Sequence, residues 1–338
     1  MCTALDYPGT HHYFGRNLDY HRTFGEELVV TPRNFPLVSR TMETKHRHLA
    51  FFGVATVTED YPLYFDGANE KGLCIAGLNF VGNATYSAPM PERINLPPYE
   101  LIPYLLGNCG SVKETRDILS RVNLVAIPFR EDLPLAQLHW MISDRTESLV
   151  LETDEGGTHL YENPIGVLTN NPPFPYHRDH LREYLHLSSK PPENRFAPSL
   201  DLHPFSKGQG AFGLPGDLSS PSRFVRAAFG RWNATQYEED EADLSQFFHI
   251  LDFTAQIDGC TQETDGRERT QYSSCYETDR GIGYFKTYEN SRLRGLCLFH
   301  ENLEGPTLSR YPLYISSEIR WLNGKPDTVS PTGSNHSF

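Results

Sequence analysis

Short apolar, β-rich runs bounded by polar turn residues recur over much of the chain, the pattern of β-strands. Tyr13-Phe14, Leu28 to Thr31, Leu49 to Val57 and Leu73 to Phe80 read as strands in the first part. Leu138 to Ser143 and Ser148 to Thr153 flank the polar Asp144-Arg145-Thr146-Glu147, a hairpin pattern. Thr270 to Tyr276, Ile282 to Tyr288 and Leu293 to His300 repeat the theme near the C-terminal end. Much of the sheet is therefore expected to be antiparallel.

Helical periodicity is rarer. Ser111 followed by Glu114 forms a capping-box pattern ahead of Val112, Ile118, Leu119 and Val122 at helical spacing. A second helix is predicted from Ser220 as N-cap with Pro221 at its first position, turning Phe224, Val225, Ala228 and Phe229 inward. A third covers about Leu244 to Ile257. Ser188 to Gly216 is rich in Pro, Ser and Gly without periodicity, which reads as a long excursion within one domain spanning 1–338. From about Asp327 onward the chain is polar and expected to fray. Strands, then helices, then strands again give an α+β class, with helices packed on antiparallel sheets.

Charge narrows the partners. The 338 residues carry 43 acidic against 30 basic side chains, a net charge of -13, which opposes binding to nucleic acid or an anionic membrane surface. Cys2, Cys74, Cys109, Cys260, Cys275 and Cys297 show no CxxC pairing, so neither a disulfide framework nor a zinc ribbon is indicated. No leader pattern opens the chain and no apolar run approaches the roughly 18 residues of a membrane span, so the expected compartment is the cytoplasm. Gly208, Gly210 and Gly213 match G-x-G-x-x-G but neither follow a strand nor open a helix, which rejects a dinucleotide site. His177 and His180 lie on a plausible helix without metal-site companions and read as surface histidines.

The N-terminus carries the candidate chemistry. Removal of Met1 before a small residue would leave the Cys2 thiol beside its own α-amine, nucleophile and base on one residue. A turn at Pro8-Gly9 would run Tyr13 to Leu18 back along residues 2 to 7 and return Arg16 and Asp19 toward Cys2. A guanidinium there favours thiolate, and a carboxylate orients an ammonium. Arg223 adds to the set because it stands in the first turn of a predicted helix, where the macrodipole disfavours a cation.

The phrases Phe14-Gly15-Arg16-Asn17-Leu18-Asp19, Thr31-Pro32-Arg33-Asn34-Phe35-Pro36, Gly77-Leu78-Asn79-Phe80, Leu168-Thr169-Asn170-Asn171-Pro172 and Ser222-Arg223-Phe224-Val225-Arg226 resemble the choloylglycine hydrolase family. This is the cysteine branch of the N-terminal-nucleophile (Ntn) hydrolases, which includes bile salt hydrolases and penicillin V acylases. The resemblance runs to about residue 320 and implies a four-layer αββα sandwich. It implies Cys2 as nucleophile, supported by Arg16 and Asp19, with Asn79, Asn170 and Arg223 completing the catalytic set. It also implies hydrolysis of the amide of glycine- or taurine-conjugated bile salts without metal or organic cofactor. Leu18, Phe24, Tyr61, Phe65, Ile127, Phe129 and Leu135 lie in or beside loops that line the family's site and are expected to meet the steroid. A homotetramer follows from the resemblance, with the 188–216 excursion as a candidate assembly element.

Two other activities in the family, penicillin V acylase and acyl-homoserine lactone acylase, remain alternatives. Asn79 favours bile salts because penicillin V acylases often carry Tyr at the matching position. A non-catalytic steroid- or lipid-binding protein is opposed by the intact catalytic set. Tyr276 departs from the family where many members carry a second cysteine.

Overall fold

The computed structural model describes residues 1–323 apart from 265 and 318. The tail from Asp327, expected to fray, lies outside the described residues. Strands β1 (Cys2–Pro8) and β2 (His12–Tyr20) form the expected hairpin, with Cys2 opposite Leu18 and Ala4 opposite Arg16. Strands β3 (Glu27–Thr31), β4 (Phe51–Thr58), β5 (Tyr61–Asn69) and β6 (Cys74–Asn79) follow. A short parallel pair, β7 (Ile94–Leu96) and β8 (Val122–Leu124), brackets helices α1 (Leu101–Asn108) and α2 (Val112–Leu119). Next come β9 (Leu138–Ser143), β10 (Ser148–Asp154), β11 (Gly157–Glu162) and β12 (Val167–Leu168). Helices α3 (Phe174–His180), α4 (Ser220–Asn233) and α5 (Asp240–Asp252) precede β13 (Thr261–Glu263), β14 (Gly266–Glu277), β15 (Ile282–Thr287), β16 (Arg294–Cys297) and β17 (Ser309–Pro312).

Two antiparallel sheets dominate. One runs β12-β1-β2-β14-β15-β16 with β13 on β14, and the other runs β11-β10-β9-β6-β5-β4-β3-β17. The first core joins α4 and α5 (Phe224, Ala227, Phe247, Leu251) to the first sheet and to Phe52, Val54, Ala76 and Met141 of the second. The second core packs Leu101, Leu105, Val112 and Leu119 of α1 and α2 on Phe51, Ile75, Trp140 and Leu149. The layers are thus helix, sheet, sheet, helix, the αββα arrangement of an α+β protein. No described helix is long and apolar enough to cross a membrane.

Local differences from the sequence reading have physical causes. Ser111 caps α2 as expected, its hydroxyl accepting from Glu114 N at 3.2 Å. For α4 the N-cap is Ser219, not Ser220, because Ser219 holds extended backbone and its hydroxyl takes the Ser222 N–H. Helix α5 begins at Asp240 rather than Leu244, where Asp240, Glu241 and Asp243 complement the helix N-terminus, and it ends at Asp252. His177 is buried rather than on the surface, its ring stacked at 4.8 Å on Phe224 of α4. The 188–216 excursion is irregular apart from one turn at Gln209–Ala211, and its Phe196, Phe205 and Phe212 are exposed.

Candidate active site

Cys2 opens β1, the strand next to the sheet edge, which pairs along its length with β2 and at Ala4 and Leu5 with the short edge strand β12. A Cβ at Gly15 would lie 1.9 Å from the Ser274 carbonyl oxygen, so only glycine lets β14 close against β2 beside Arg16. Period-two alternation then divides the neighbouring charges between two faces. Arg16 faces the second sheet and Asp19 faces the helices.

On the inter-sheet face Arg16 is 1% exposed and donates from Nη2 to Cys2 Sγ. Its Nη1 donates to the Gly77 carbonyl at 2.5 Å and to the Phe65 carbonyl at 3.4 Å, and Nε to the Asn17 carbonyl at 3.3 Å. Asp66 lies 4.0 Å from Nε. Burial pulls the Arg16 pKa down, but the fields of Cys2, Tyr272, Asp66 and Asp19 outweigh it and hold the guanidinium firmly charged.

On the helix-facing side the main chain of Cys2 is gripped at both ends. Cys2 N donates to Asn170 Oδ1 at 2.7 Å, and Cys2 O accepts from Arg223 Nη1. Arg223 also donates to Thr3 Oγ1 at 2.7 Å, to Asn170 Oδ1 at 2.9 Å and to the Leu218 carbonyl at 3.1 Å. These acceptors explain how a cation sits in the first turn of α4 against the macrodipole. Asp19 Oδ2 lies 3.9 Å from Arg223 Nη1, and Oδ1 accepts from Thr270 Oγ1 at 2.6 Å. Burial pushes the Asp19 carboxyl up against the pull of Arg223, and Asp19 Oδ2 has no hydrogen-bond partner among the described residues. Met1 precedes Cys2 here, its ammonium bound to Glu268 Oε2 at 2.6 Å and to the Asp19 carbonyl at 2.7 Å.

Asn170 is fixed from several directions. Its Nδ2 donates to the Asn79 carbonyl at 2.8 Å, its N–H to Ser220 Oγ at 2.8 Å, and its own carbonyl accepts from His177 Nε2 at 2.8 Å. Burial holds His177 down at about 4, so the ring is neutral at ordinary pH. His139 stacks on Phe80 at 4.4 Å and bridges Glu152 at 3.0 Å and the Thr169 carbonyl at 2.9 Å, just before Asn170. The Asn79 side chain is partly exposed and makes no hydrogen bond among the described residues.

Cys2, Arg16, Asp19, Asn79, Asn170 and Arg223 are therefore brought together. The residues expected to meet a substrate divide. Leu18 lies opposite Cys2, Phe65 packs on the same core, and the Phe24 ring, 38% exposed, stands 5.8 Å from Phe65. Phe65 lies within β5, and Tyr61 opens it directly after the turn at 59–60. Tyr61 and Phe129 form their own aromatic cluster with Tyr99, and Tyr61 lines a separate cavity of about 390 Å³ with Met42, Pro103 and Tyr104. Ile127 and Leu135 are partly exposed in the segment between β8 and β9. The sequence reading missed His177, His139, Glu152 and Asp66. His139 stands in the predicted strand Leu138 to Ser143, but nothing in that pattern marked it as a support for Asn170.

Comparison with known proteins places this geometry. The family model described as "Linear amide C-N hydrolases, choloylglycine hydrolase family" matches residues 2–311. A "Bile salt hydrolase/transferase" of Lactiplantibacillus plantarum is 48% identical over 324 residues, covering 96% of this chain and 100% of the relative. One of the same description from Clostridium perfringens is 38% identical over 333 residues, covering 96% and 100%. The crystal structure of a C2A mutant conjugated bile acid hydrolase from Clostridium perfringens superposes with a TM-score of 0.89 at 36% identity, covering 96% of this chain and 100% of that one. A penicillin V acylase from Agrobacterium tumefaciens, at 18% identity and a TM-score of 0.75 over 94% of each chain, shares the fold. With a cysteine at position 2 held between a buried arginine and a buried asparagine, on this αββα frame, the chain belongs to the choloylglycine hydrolase family of linear amide C–N hydrolases.

Proposed function

We infer that this protein hydrolyses the amide bond of glycine- and taurine-conjugated bile salts through an acyl-enzyme on Cys2, formed after Met1 is removed. The observation that carries the reading is Cys2 itself, its thiol on Arg16 and its nitrogen on Asn170, in a chain whose full-length relatives are named for bile salts. While Met1 is attached, the Cys2 nitrogen is an amide with no basicity. Its removal frees an α-amine whose ordinary pKa near ~8 suits proton transfer at neutral pH.

The thiolate, favoured by Arg16, attacks the amide carbonyl and forms the C–S bond. The oxyanion is met by the Asn79 amide, which has no other partner among the described residues, and by a backbone N–H. The Cys2 ammonium protonates the departing taurine or glycine nitrogen as the C–N bond breaks. The resulting amine then takes a proton from water, whose hydroxide opens the thioester and releases the free bile acid. Asp19 Oδ2, buried without a hydrogen-bond partner among the described residues, offers the ammonium an acceptor during these transfers. Leu18, Phe65 and Phe24 offer apolar surface leading away from Cys2 for the steroid.

Amino-acid release from taurocholate and glycocholate, measured beside Cys2→Ala and with penicillin V in parallel, tests the reading. Release lost in Cys2→Ala and exceeding penicillin V turnover supports it. No release by the processed wild type defeats it. The exposed phenylalanines of the 188–216 excursion support its use in assembling a tetramer, and the six unpaired cysteines suit a reducing cytoplasm.

A further inference from the structure

One side of Arg16 addresses Cys2, and the other is faced by a group that no step above employs. Asp66 on β5 is fully buried between the sheets, 4.0 Å from Arg16 Nε. Two hydroxyls from β14 in the opposite sheet close on its oxygens, Tyr272 donating to Oδ2 at 2.5 Å and Tyr276 to Oδ1. Both rings are fully buried.

A buried aspartate beside a buried arginine ordinarily closes to a short, bidentate ion pair. Here it does not. The Arg16 N–H groups are directed to the Gly77, Phe65 and Asn17 carbonyls and to Cys2 Sγ, while the carboxylate takes tyrosine hydroxyls instead. The backbone contributes as well. The β4–β5 register shifts so that Val54 pairs with Asp66 and Ala55 with Tyr64, leaving Phe65 as a bulge directly before Asp66. Bulges of this kind re-aim a side chain beside an active site.

We propose that Asp66, clamped by Tyr272 and Tyr276, is a positioning residue that holds the Arg16 guanidinium on Cys2 while keeping its charge from being cancelled by a direct ion pair. The hydroxyl bonds spread the carboxylate's charge and fix it off the guanidinium. The remaining ionisable groups around this pair are Cys2, Asp19 and Arg223 at the nucleophile and Cys74 beside Asp66. Burial pushes the Cys74 thiol well up, so it stays neutral and does not compete for Arg16. The proposal rests on Cys2 being the nucleophile, but not on which amide it cleaves.

The test uses processed protein beginning at Cys2, with Tyr276→Phe, Tyr272→Phe and the double variant. The rate of Cys2 alkylation by iodoacetamide is followed from pH 5 to 10, the adduct being located by peptide mass so that exposed Cys260 does not contribute. Loss of a hydroxyl frees a carboxylate oxygen to close on Arg16, which draws the guanidinium from the sulfur and weakens its hold on thiolate. Each single variant should move the alkylation midpoint upward by about half a pH unit and the double by about one. The value of kcat on taurocholate should fall at pH 7 with KM kept. Midpoints unchanged in both single variants, whatever happens to Tm, overturn the proposal and leave the clamp a strut between sheets. If the double variant does not fold, the singles decide. Alkylation needs no substrate, so failure of the bile-salt reading would appear separately, as absent turnover by wild type with a normal Cys2 midpoint.

Discussion

His177→Gln separates a titration from a hydrogen bond. The imidazole is fully buried and donates to the Asn170 carbonyl at 2.8 Å, and burial sets its pKa at about 4 against an ordinary 6.5. Between these values the unfolded chain binds the proton and the folded chain does not. This stability is therefore present above the unfolded value of 6.5, is lost progressively as pH falls from there, and is gone once pH has passed below the folded value of about 4. The full difference corresponds to about 3 kcal/mol, of which about 2 kcal/mol has gone by pH 5.

Glutamine keeps an N–H donor for Asn170 but cannot titrate. Urea unfolding at pH 7.5, 6.5 and 5.0, at one protein concentration, should show the variant slightly weaker than wild type at pH 7.5, by about 1 kcal/mol for an imperfect hydrogen bond. At pH 5 the order should narrow or invert, because the wild type alone pays for acid through this ring. Buried carboxylates such as Asp19 and Asp66 also shape the pH curve, but they are common to both proteins and cancel in the difference. Parallel stability curves from pH 7.5 to 5.0 would refute the reasoning, since the ring would then not be held neutral by burial.

Asn79→Ala should lower kcat by about 10²–10³ with Tm unchanged, because its side chain has no partner to lose among the described residues; steady-state kinetics with a melting curve check both halves. Asn170→Ala should lower both kcat and stability, the latter by about 1–3 kcal/mol, since buried Arg223 and Cys2 N lose their shared acceptor. An intact Tm in that variant would argue against the shared acceptor. Phe196→Ser, Phe205→Ser and Phe212→Ser combined should shift sedimentation toward smaller species with Tm nearly preserved, as these rings are exposed in the described chain. A sedimentation coefficient equal to wild type would remove the excursion from assembly.

What could be read from the sequence followed short-range rules. The β1–β2 hairpin was legible because Pro8-Gly9 marks the turn, and α2 because Ser111 and Glu114 mark its start. Helix α1 was not, because Leu101, Ile102, Pro103, Leu105, Leu106 and Gly107 are all buried and leave no polar face to set a period. Strand β5 was obscured by its bulge at Phe65, which breaks the alternation of apolar positions. Arg16 and Asp19 were correctly brought near Cys2, yet strand alternation alone would have placed them on opposite faces of β2 and so assigned them different partners. His177 was read as surface because only the packing of α3 on α4 buries it, a contact between segments distant in sequence.

The cost of the site argues for what it is for. Arg16, Asp66, Asp19 and Arg223 are all about 1% exposed or less, and buried ion pairs seldom stabilise a fold as well as apolar residues of the same volume would. The two arginines instead converge on Cys2, with Asp66 and Asp19 beside them, in the first strand of the chain. Arg223 holds the Cys2 carbonyl, Asn170 its nitrogen and Arg16 its sulfur, while β2 and β12 flank its strand. A free amine and a thiol can serve as base and nucleophile together only if that terminus stays within a few tenths of an ångström of one geometry. Cutting any one grip should therefore cost activity beyond its share of stability, and kcat measured against Tm across Asn170, Arg223 and Arg16 variants would show the excess.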